Sequence, residues 1–262
     1  MDLGFAGRTV LVTGGSSGVG LAVVRMLLAE GANVAACARD GARLRAALGE
    51  LPRAAGAKVY AHECDVVDEA GSRGFVEASA EEFGGIDGVV NNAGRSLLSP
   101  WDSTSDEQWR EELDLKVFSV LNTVRAALPS LRCSSAPAVV NVNAALARQP
   151  EARLAATSAA RAALLNLTKT LSDDLAQDGV RVNSVCLGLI DTGQWRRRYE
   201  DSGSELDWAS WSAELARDRR IPLGRLGAAE EVAYAIAALL APRASYITGT
   251  DVEVGGGITR QA

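Results

Sequence analysis

The chain is poor in the residues that carry most hydrolytic and metal chemistry. His62 is its single histidine in 262 residues, so a Ser-His-Asp hydrolase would have to be built on it. His62 sits in an alternating run, Lys58 to Glu63, that reads as strand, where a structural or surface role fits better than catalysis. The four cysteines, Cys37, Cys64, Cys133 and Cys186, are scattered without a C-x-x-C pair. They read as reduced, buried thiols in or beside strands, and no metal site is expected. Basic excess is also missing. A net charge of −6 and a pI near 5.0 argue against nucleic acid or an anionic membrane as partner. No apolar run approaches the roughly 20 residues that span a bilayer. The start, Met1-Asp2-Leu3-Gly4, lacks the charged-then-apolar layout of a signal peptide, so a cytoplasmic protein is expected.

Hydrophobic residues are abundant at 47%, enough for a sizeable core. Short apolar runs of strand type alternate with segments of helical period. The strands are expected at Arg8–Thr13, Asn33–Ala38, Ala57–Asp65, Ile86–Asn91, Ala138–Asn143, Val180–Leu187 and Thr250–Val254. Helices are expected at Val19–Ala29, Gly41–Leu51, Asp68–Phe83, Asp106–Leu131, Arg153–Gln177 and Ala228–Leu240. Such alternation predicts an α/β fold, a doubly wound parallel sheet with helices on both faces, in a single domain over residues 1–262. One segment, Thr192–Arg220, breaks the rhythm. It is dense in tryptophan (Trp195, Trp208, Trp211) and arginine (Arg196, Arg197, Arg198, Arg217, Arg219, Arg220). Two readings stand: a lid or substrate loop, or a surface helical hairpin whose tryptophans pack on the body.

The run Thr13-Gly14-Gly15-Ser16-Ser17-Gly18-Val19-Gly20 follows the first strand and opens the first helix. Gly14 permits a tight turn, Gly18 lets backbone N–H groups approach a phosphate, and Gly20 lets the helix press on the sheet. The helix N-terminus adds the positive end of a dipole for a pyrophosphate. The second strand ends at Cys37-Ala38-Arg39, with Ala38 where an acid would bind the adenine ribose of NAD. Arg39 beside it suits a 2′-phosphate, so NADP is favoured over NAD, although Asp40 also reads as a helix N-cap with Arg39 solvated next to it.

These residues resemble the short-chain dehydrogenase/reductase family over essentially the whole chain. The likeness is carried by Thr13–Gly20, Asp65-Val66, Asn91-Asn92-Ala93-Gly94, Arg181–Val185, Gly188, Thr192, Ile221–Arg225, Gly249 and the closing Gly255–Gly257. The resemblance implies a seven-stranded parallel sheet of Rossmann type, NAD(P) along its carboxyl edge, and a homodimer or homotetramer built on the two long helices. It implies that Gly14, Ser16, Ser17, Gly18, Val19 and Gly20 line the phosphates and that Asp65 and Val66 meet the adenine. Asn92, Ala93 and Gly94 would face the ribose, Ile190 and Thr192 the nicotinamide carboxamide, and Gly188 and Arg161 the same cofactor.

The resemblance also implies an Asn-Ser-Tyr-Lys catalytic tetrad, and here the chain departs from it. The four slots hold Lys116, Ala144, Thr157 and Arg161, and no Tyr-x-x-x-Lys occurs elsewhere. Leu187 stands where a proline usually precedes Gly188. Ala144 cannot donate to a substrate carbonyl, and Thr157 is a far weaker acid than a phenol. Arg161 stays charged and can bond a ribose or phosphate but cannot shuttle a proton. Asn143 should point away from the pocket if Ala144 points in. Losing a positioned general acid removes about 10²- to 10⁴-fold in rate, roughly 3 to 5 kcal/mol.

Three functions follow. The first is an NAD(P)-dependent oxidoreductase acting on a carbonyl or hydroxyl compound, its proton coming from Lys116 or Tyr199. The second is a nucleotide-binding protein without turnover. The third is a lyase or hydratase that uses Lys116, Arg148, Arg153, Arg161 and the arginine-rich insertion on an acidic or acyl-thioester substrate. Against the roles given to Lys116 stands a plain helix-face pair with Glu112 at i−4. The expected substrate is a small molecule, acidic, aromatic or acyl-thioester in character.

Overall fold

A computed structural model describes residues 2–260. Seven strands form one parallel sheet: β1 (Thr9–Thr13), β2 (Asn33–Ala38), β3 (Val59–Glu63), β4 (Gly88–Asn91), β5 (Ala138–Ala144), β6 (Arg181–Leu187) and, last in the chain, β9 (Asp251–Val254). Two short strands, β7 (Ile190–Asp191) and β8 (Gly227–Ala228), pair separately. The helices are α1 (Gly18–Ala29), α2 (Gly41–Gly49), α3 (Glu69–Phe83), α4 (Asp106–Leu113), α5 (Ser119–Leu131), α6 (Ala155–Asp174), α7 (Gly193–Ser202), α8 (Trp208–Asp218) and α9 (Ala229–Leu240). The sheet order is β3-β2-β1-β4-β5-β6-β9. The chain winds outward from β1 through β2 to β3, then returns to β4 on the other side of β1. This is the Rossmann-type fold expected from the alternation of elements.

Alternation of side chains across β1 shows why its sequence can be apolar throughout. Val10 and Val12 face α1 and α9, packing with Val23, Leu27 and Ile236. Leu11 faces the opposite layer, with Phe75 of α3, Val124 of α5 and Leu164 of α6. Both faces of the sheet are thus covered, and strands buried on both sides read as near-continuous apolar runs.

Two expectations need correction. Asp106–Leu131 is not one helix: a π-helical stretch, Asp114–Phe118, separates α4 from α5. Wide turns of this kind are set by tertiary contacts that no local period records. Cys133 is exposed rather than buried, because it follows the end of α5 on the surface, whereas Cys37, Cys64 and Cys186 are buried. The segment Thr192–Arg220 forms the helical pair α7 and α8. Tyr199, Trp208 and Trp211 pack together with ring centroids 5.5–5.6 Å apart. Trp195 and Trp208 also rest on Ala216, Ile221, Leu226 and Ile258, so the tryptophans do pack on the body.

Arg181 closes the far side of the sheet. It is buried and has no carboxylate partner among the described residues, yet its guanidinium donates to Leu239 O (2.7 Å), Leu240 O (3.1 Å), Ala241 O (3.1 Å) and Ile247 O (3.2 Å). Three of these acceptors end α9 or follow it directly, where the helix leaves carbonyls without partners and favours a cation. Replacing Arg181 by Met should cost about 2–4 kcal/mol, because the carbonyls it serves would stay buried and unbonded. Urea unfolding of the variant against the parent chain measures this.

Candidate active site

Where the strand order reverses, the carboxyl ends of β1 and β4 part, and a cleft of about 830 Å³ opens across them toward β5, β6 and α7. Every residue expected at the cofactor, from Gly14 and Arg39 through Asp65, Asn92 and Arg161 to Gly188, Ile190 and Thr192, lines this one cleft.

The turn after β1 is shaped by close approach. Gly14 has φ +69°, and a Cβ there would lie 3.0 Å from both Ala93 Cα and Asn92 Nδ2. A Cβ on Gly20 would collide with the Gly14 carbonyl oxygen, so only glycine lets α1 sit this close. Ser17, the N-cap of α1, makes no side-chain capping bond, and the first turn carries no acidic residue. The helix start is therefore left to an outside anion, which fits a pyrophosphate. At the adenosine end, Asp40 does cap α2, accepting from Arg43 N at 2.9 Å. Arg39 and Arg43 both line the cleft there. Arg43 was not anticipated; its place follows from the first turn of α2, three residues after the cap.

The four tetrad slots split into two pairs. Ala144 ends β5 and Arg161 lies on α6, and both line the cleft. Arg161 Nη1 donates to Val142 O at 2.7 Å, and its Nη2 stands 3.5 Å from where a Gly94 Cβ would be. Its buried Nε has no partner among the described residues. Asn143, fully buried, donates from Nδ2 to Arg161 O at 3.0 Å and accepts from Ala144 N at 2.9 Å. It serves the wall and offers nothing to a ligand.

Lys116 and Thr157 form the other pair, and neither lines the cleft. Both bind Glu112, which is only 1% exposed: Lys116 Nζ donates to Oε1 at 2.6 Å and the Thr157 hydroxyl to Oε2 at 2.5 Å. Leu97 N donates to the same Thr157 oxygen at 3.2 Å. The simple i−4 pairing is thus the one observed, and it is extended by a second donor from α6. Lys116 as proton donor into the cleft is corrected by this geometry, since its ammonium is turned to a buried carboxylate. Burial, and next the charge of Arg161, bring its pKa down from 10.5 to about 8, while Glu112 pulls the other way. Tyr199 is likewise spent, donating to Leu206 O at 2.8 Å inside the helical pair. Arg148, expected in a positive lining, instead pairs with Asp251 at 2.7 Å. The link from Glu112 to Thr157 was missed because it crosses 45 residues of sequence. The i, i+4 spacing of Glu112 and Lys116 was its one visible half.

Sheet order and glycine turn define a Rossmann-type α/β protein. A family model described as Enoyl-(Acyl carrier protein) reductase matches residues 14–259. Among solved structures, the chain is 49% identical to the NADPH-bound short chain oxidoreductase from Pseudomonas aeruginosa PAO1 containing an atypical catalytic center, covering 97% of this chain and 98% of that one with a TM-score of 0.92. It is 30% identical to L-sorbose reductase from Gluconobacter frateurii complexed with NADPH and L-sorbose, covering 100% of both chains with a TM-score of 0.95. Among curated relatives it is 36% identical to 3beta-hydroxysteroid dehydrogenase 1 of Eggerthella lenta, covering 97% of this chain and 94% of the relative. The chain belongs to the short-chain dehydrogenase/reductase family.

The chain's lysines are Lys58, Lys116 and Lys169, so ¹³Cε labelling of lysine should resolve one titration near pH 8 that disappears in Lys116→Met. All resonances titrating near 10.5 would contradict this account of the site. Because the folded pKa lies below the unfolded value, the unfolded chain holds the proton between about 8 and 10.5. The contribution of Lys116 to stability therefore rises with pH across that window. Glu112→Gln should destabilise by about 3 kcal/mol at neutral pH, by leaving the ammonium buried without its partner. Adding Lys116→Met to that variant should recover most of the loss in the same urea unfolding assay.

Proposed function

We propose that this chain is an NADP(H)-binding oxidoreductase of short-chain type, acting on a carbonyl or hydroxyl compound, with an active site that lacks the family's Asn-Ser-Tyr-Lys tetrad. The observation that carries this reading is a contrast: the residues expected at the nucleotide all line one cleft, while Lys116 and Thr157 lie outside it, bound to Glu112. Relatives that bind NADPH support the cofactor, and the Pseudomonas relative combines NADPH with an atypical catalytic center.

In this reading the turn Gly14–Gly20 and the start of α1 hold the pyrophosphate, and Arg39 with Arg43 holds a 2′-phosphate. Asp65 and Val66 flank the adenine, Asn92 to Gly94 the ribose, and Ile190 and Thr192 the carboxamide. Bound NADPH supplies the hydride. Arg161, between Gly94 and Val142 on the cleft wall, stabilises negative charge developing on the substrate oxygen, as a fixed guanidinium does without giving up its proton. The proton itself comes from solvent through the open cleft. Turnover is then expected at about 10²- to 10⁴-fold below an enzyme with a positioned general acid. The helical pair α7–α8 acts as the lid of a single-domain protein, and the protein assembles as a homodimer or homotetramer in the cytoplasm. Among the described residues no helix is long and apolar enough to cross a membrane.

A second reading, nucleotide binding without turnover, is favoured by the engagement of both candidate donors, Lys116 with Glu112 and Tyr199 with Leu206 O. The lyase or hydratase reading is weakened, since Lys116 and Arg148 are both neutralised by carboxylates.

NADPH and NADH titrations followed by nucleotide fluorescence should show NADPH bound about ten-fold or more tightly, a preference that Arg39→Ala with Arg43→Ala removes. A panel of ketones, quinones and acyl thioesters then separates the readings. Slow NADPH oxidation supports the enzyme, NADPH binding with no oxidation supports the binding protein, and failure to bind either nucleotide overturns both.

A further inference from the structure

Many surface arginines of this chain have a carboxylate partner, as Arg8 has Asp87, Arg25 has Glu230, Arg132 has Asp178 and Arg225 has Glu231. The substrate end of the cleft gathers several arginines in one place. Arg198 of α7, Arg219 just past α8 and Glu151 before α6 all line it. Arg219 Nη1 lies 2.5 Å from Glu151 Oε2, which uses the one carboxylate at that spot. Arg198 makes no ion pair among the described residues, although it is half-buried and its guanidinium carbon sits 4.6 Å from the Trp195 ring centroid. Burial, then the charges of Arg219 and Arg153, push its pKa below the ordinary arginine range, with Glu151 alone opposing. Two guanidinium groups, Arg198 and Arg219, thus line this part of the cleft with the Glu151 carboxylate, in a chain whose net charge is −6.

Like charges held together in a partly desolvated cleft are costly until a counter-charge arrives. Arg198 stacked on Trp195 is a preformed planar fork, its stem already ordered by the indole face. Beside it the cleft wall is apolar, with Leu154, Leu189 and Ile258. The adenosine end, with Arg39 and Arg43, lies across the sheet beside β2, so the two arginine groups serve different parts of the cleft.

We propose that Arg198 and Arg219 form an oxyanion subsite for the substrate, taking a carboxylate or phosphate of a carbonyl compound whose apolar part lies on Trp195, Leu154 and Ile258. This rests on the reading above that the cleft takes a carbonyl or hydroxyl compound. The subsite supplies binding and orientation; hydride and proton chemistry lie at the Arg161 end.

Calorimetric titration of the NADPH-loaded chain with phenylglyoxylate, its neutral methyl ester and phenyl phosphate tests the proposal without any need for turnover. At least one anion should bind about ten-fold or more tightly than the ester. Arg198→Met should abolish that ratio, and Arg198→Lys should restore part of it. The tighter of the two anions says whether the group is a carboxylate or a phosphate. Equal affinity for ester and anions, no binding of either anion at millimolar concentration, or an anion preference that survives Arg198→Met would overturn the subsite. The last outcome would leave Arg198 as a packing partner of Trp195. If NADPH fails to load, the cofactor reading falls, and the same titration of the unloaded chain still decides the dependence on Arg198.

Discussion

The ends of β1 and β4 are sewn together by one threonine and one asparagine. Thr13 Oγ1 accepts from Asn92 N at 2.9 Å and Ala93 N at 3.0 Å. The Asn92 amide returns the connection, donating to Thr13 O at 2.9 Å and Gly14 O at 3.2 Å. These bonds fix the two loops at the place where the strand order reverses. They hold the glycine turn open against the sheet, aim the start of α1 into the cleft, and set Gly94 beside Arg161. A parallel sheet wound in both directions must part its connections there. The stitch prevents that parting from becoming disorder, and the cleft, its walls and its two charged ends all take their positions from it.

Behind the wall lies a polar cluster that the cleft does not reach. Glu112 of α4 receives one donor from the π-helical stretch and another from α6, so the three elements meet at a single carboxylate. The packing suits a structural tie better than a relay: each oxygen has a short bond, and the lysine is enclosed at 2% exposure. Of the four positions expected to hold the tetrad, Arg161 and Ala144 are the two that line the cleft. The site therefore keeps a positive electrostatic element while its hydroxyl and ammonium groups are turned inward.

How much of this was legible in the sequence depends on the range of the interaction. Strands such as Asn33–Ala38 could be placed to the residue, because β-branched and small apolar runs buried on both faces leave an unbroken pattern. The turn Thr13–Gly20 was legible for a similar reason: its glycines answer a local steric demand. Asp106–Leu131 read as a continuous helix because its apolar residues keep helical spacing through the π-helical stretch, and the widening comes from packing against α6. The Glu112–Thr157 bond and the Arg148–Asp251 pair join residues far apart in the chain, so neither left a local trace. Arg198 was visible only as one of several arginines. What distinguishes it is its place on the cleft wall against Trp195, which appears only when the neighbours are in place.

Arg181 and Lys116 are both buried cations, but they answer differently to the solvent. Lys116 is a lysine, so alkaline conditions can remove the charge that its burial opposes, and its contribution to stability rises as they do. Arg181 is held by main-chain carbonyls, and although burial lowers its pKa too, a guanidinium starts from a higher value than an ammonium. One rim of the molecule is thus responsive and the other is inert. Base therefore eases a desolvated charge in the floor beneath the cleft, at pH values where the clamp on α9 is unchanged, so the site is the part of the molecule that answers to proton supply.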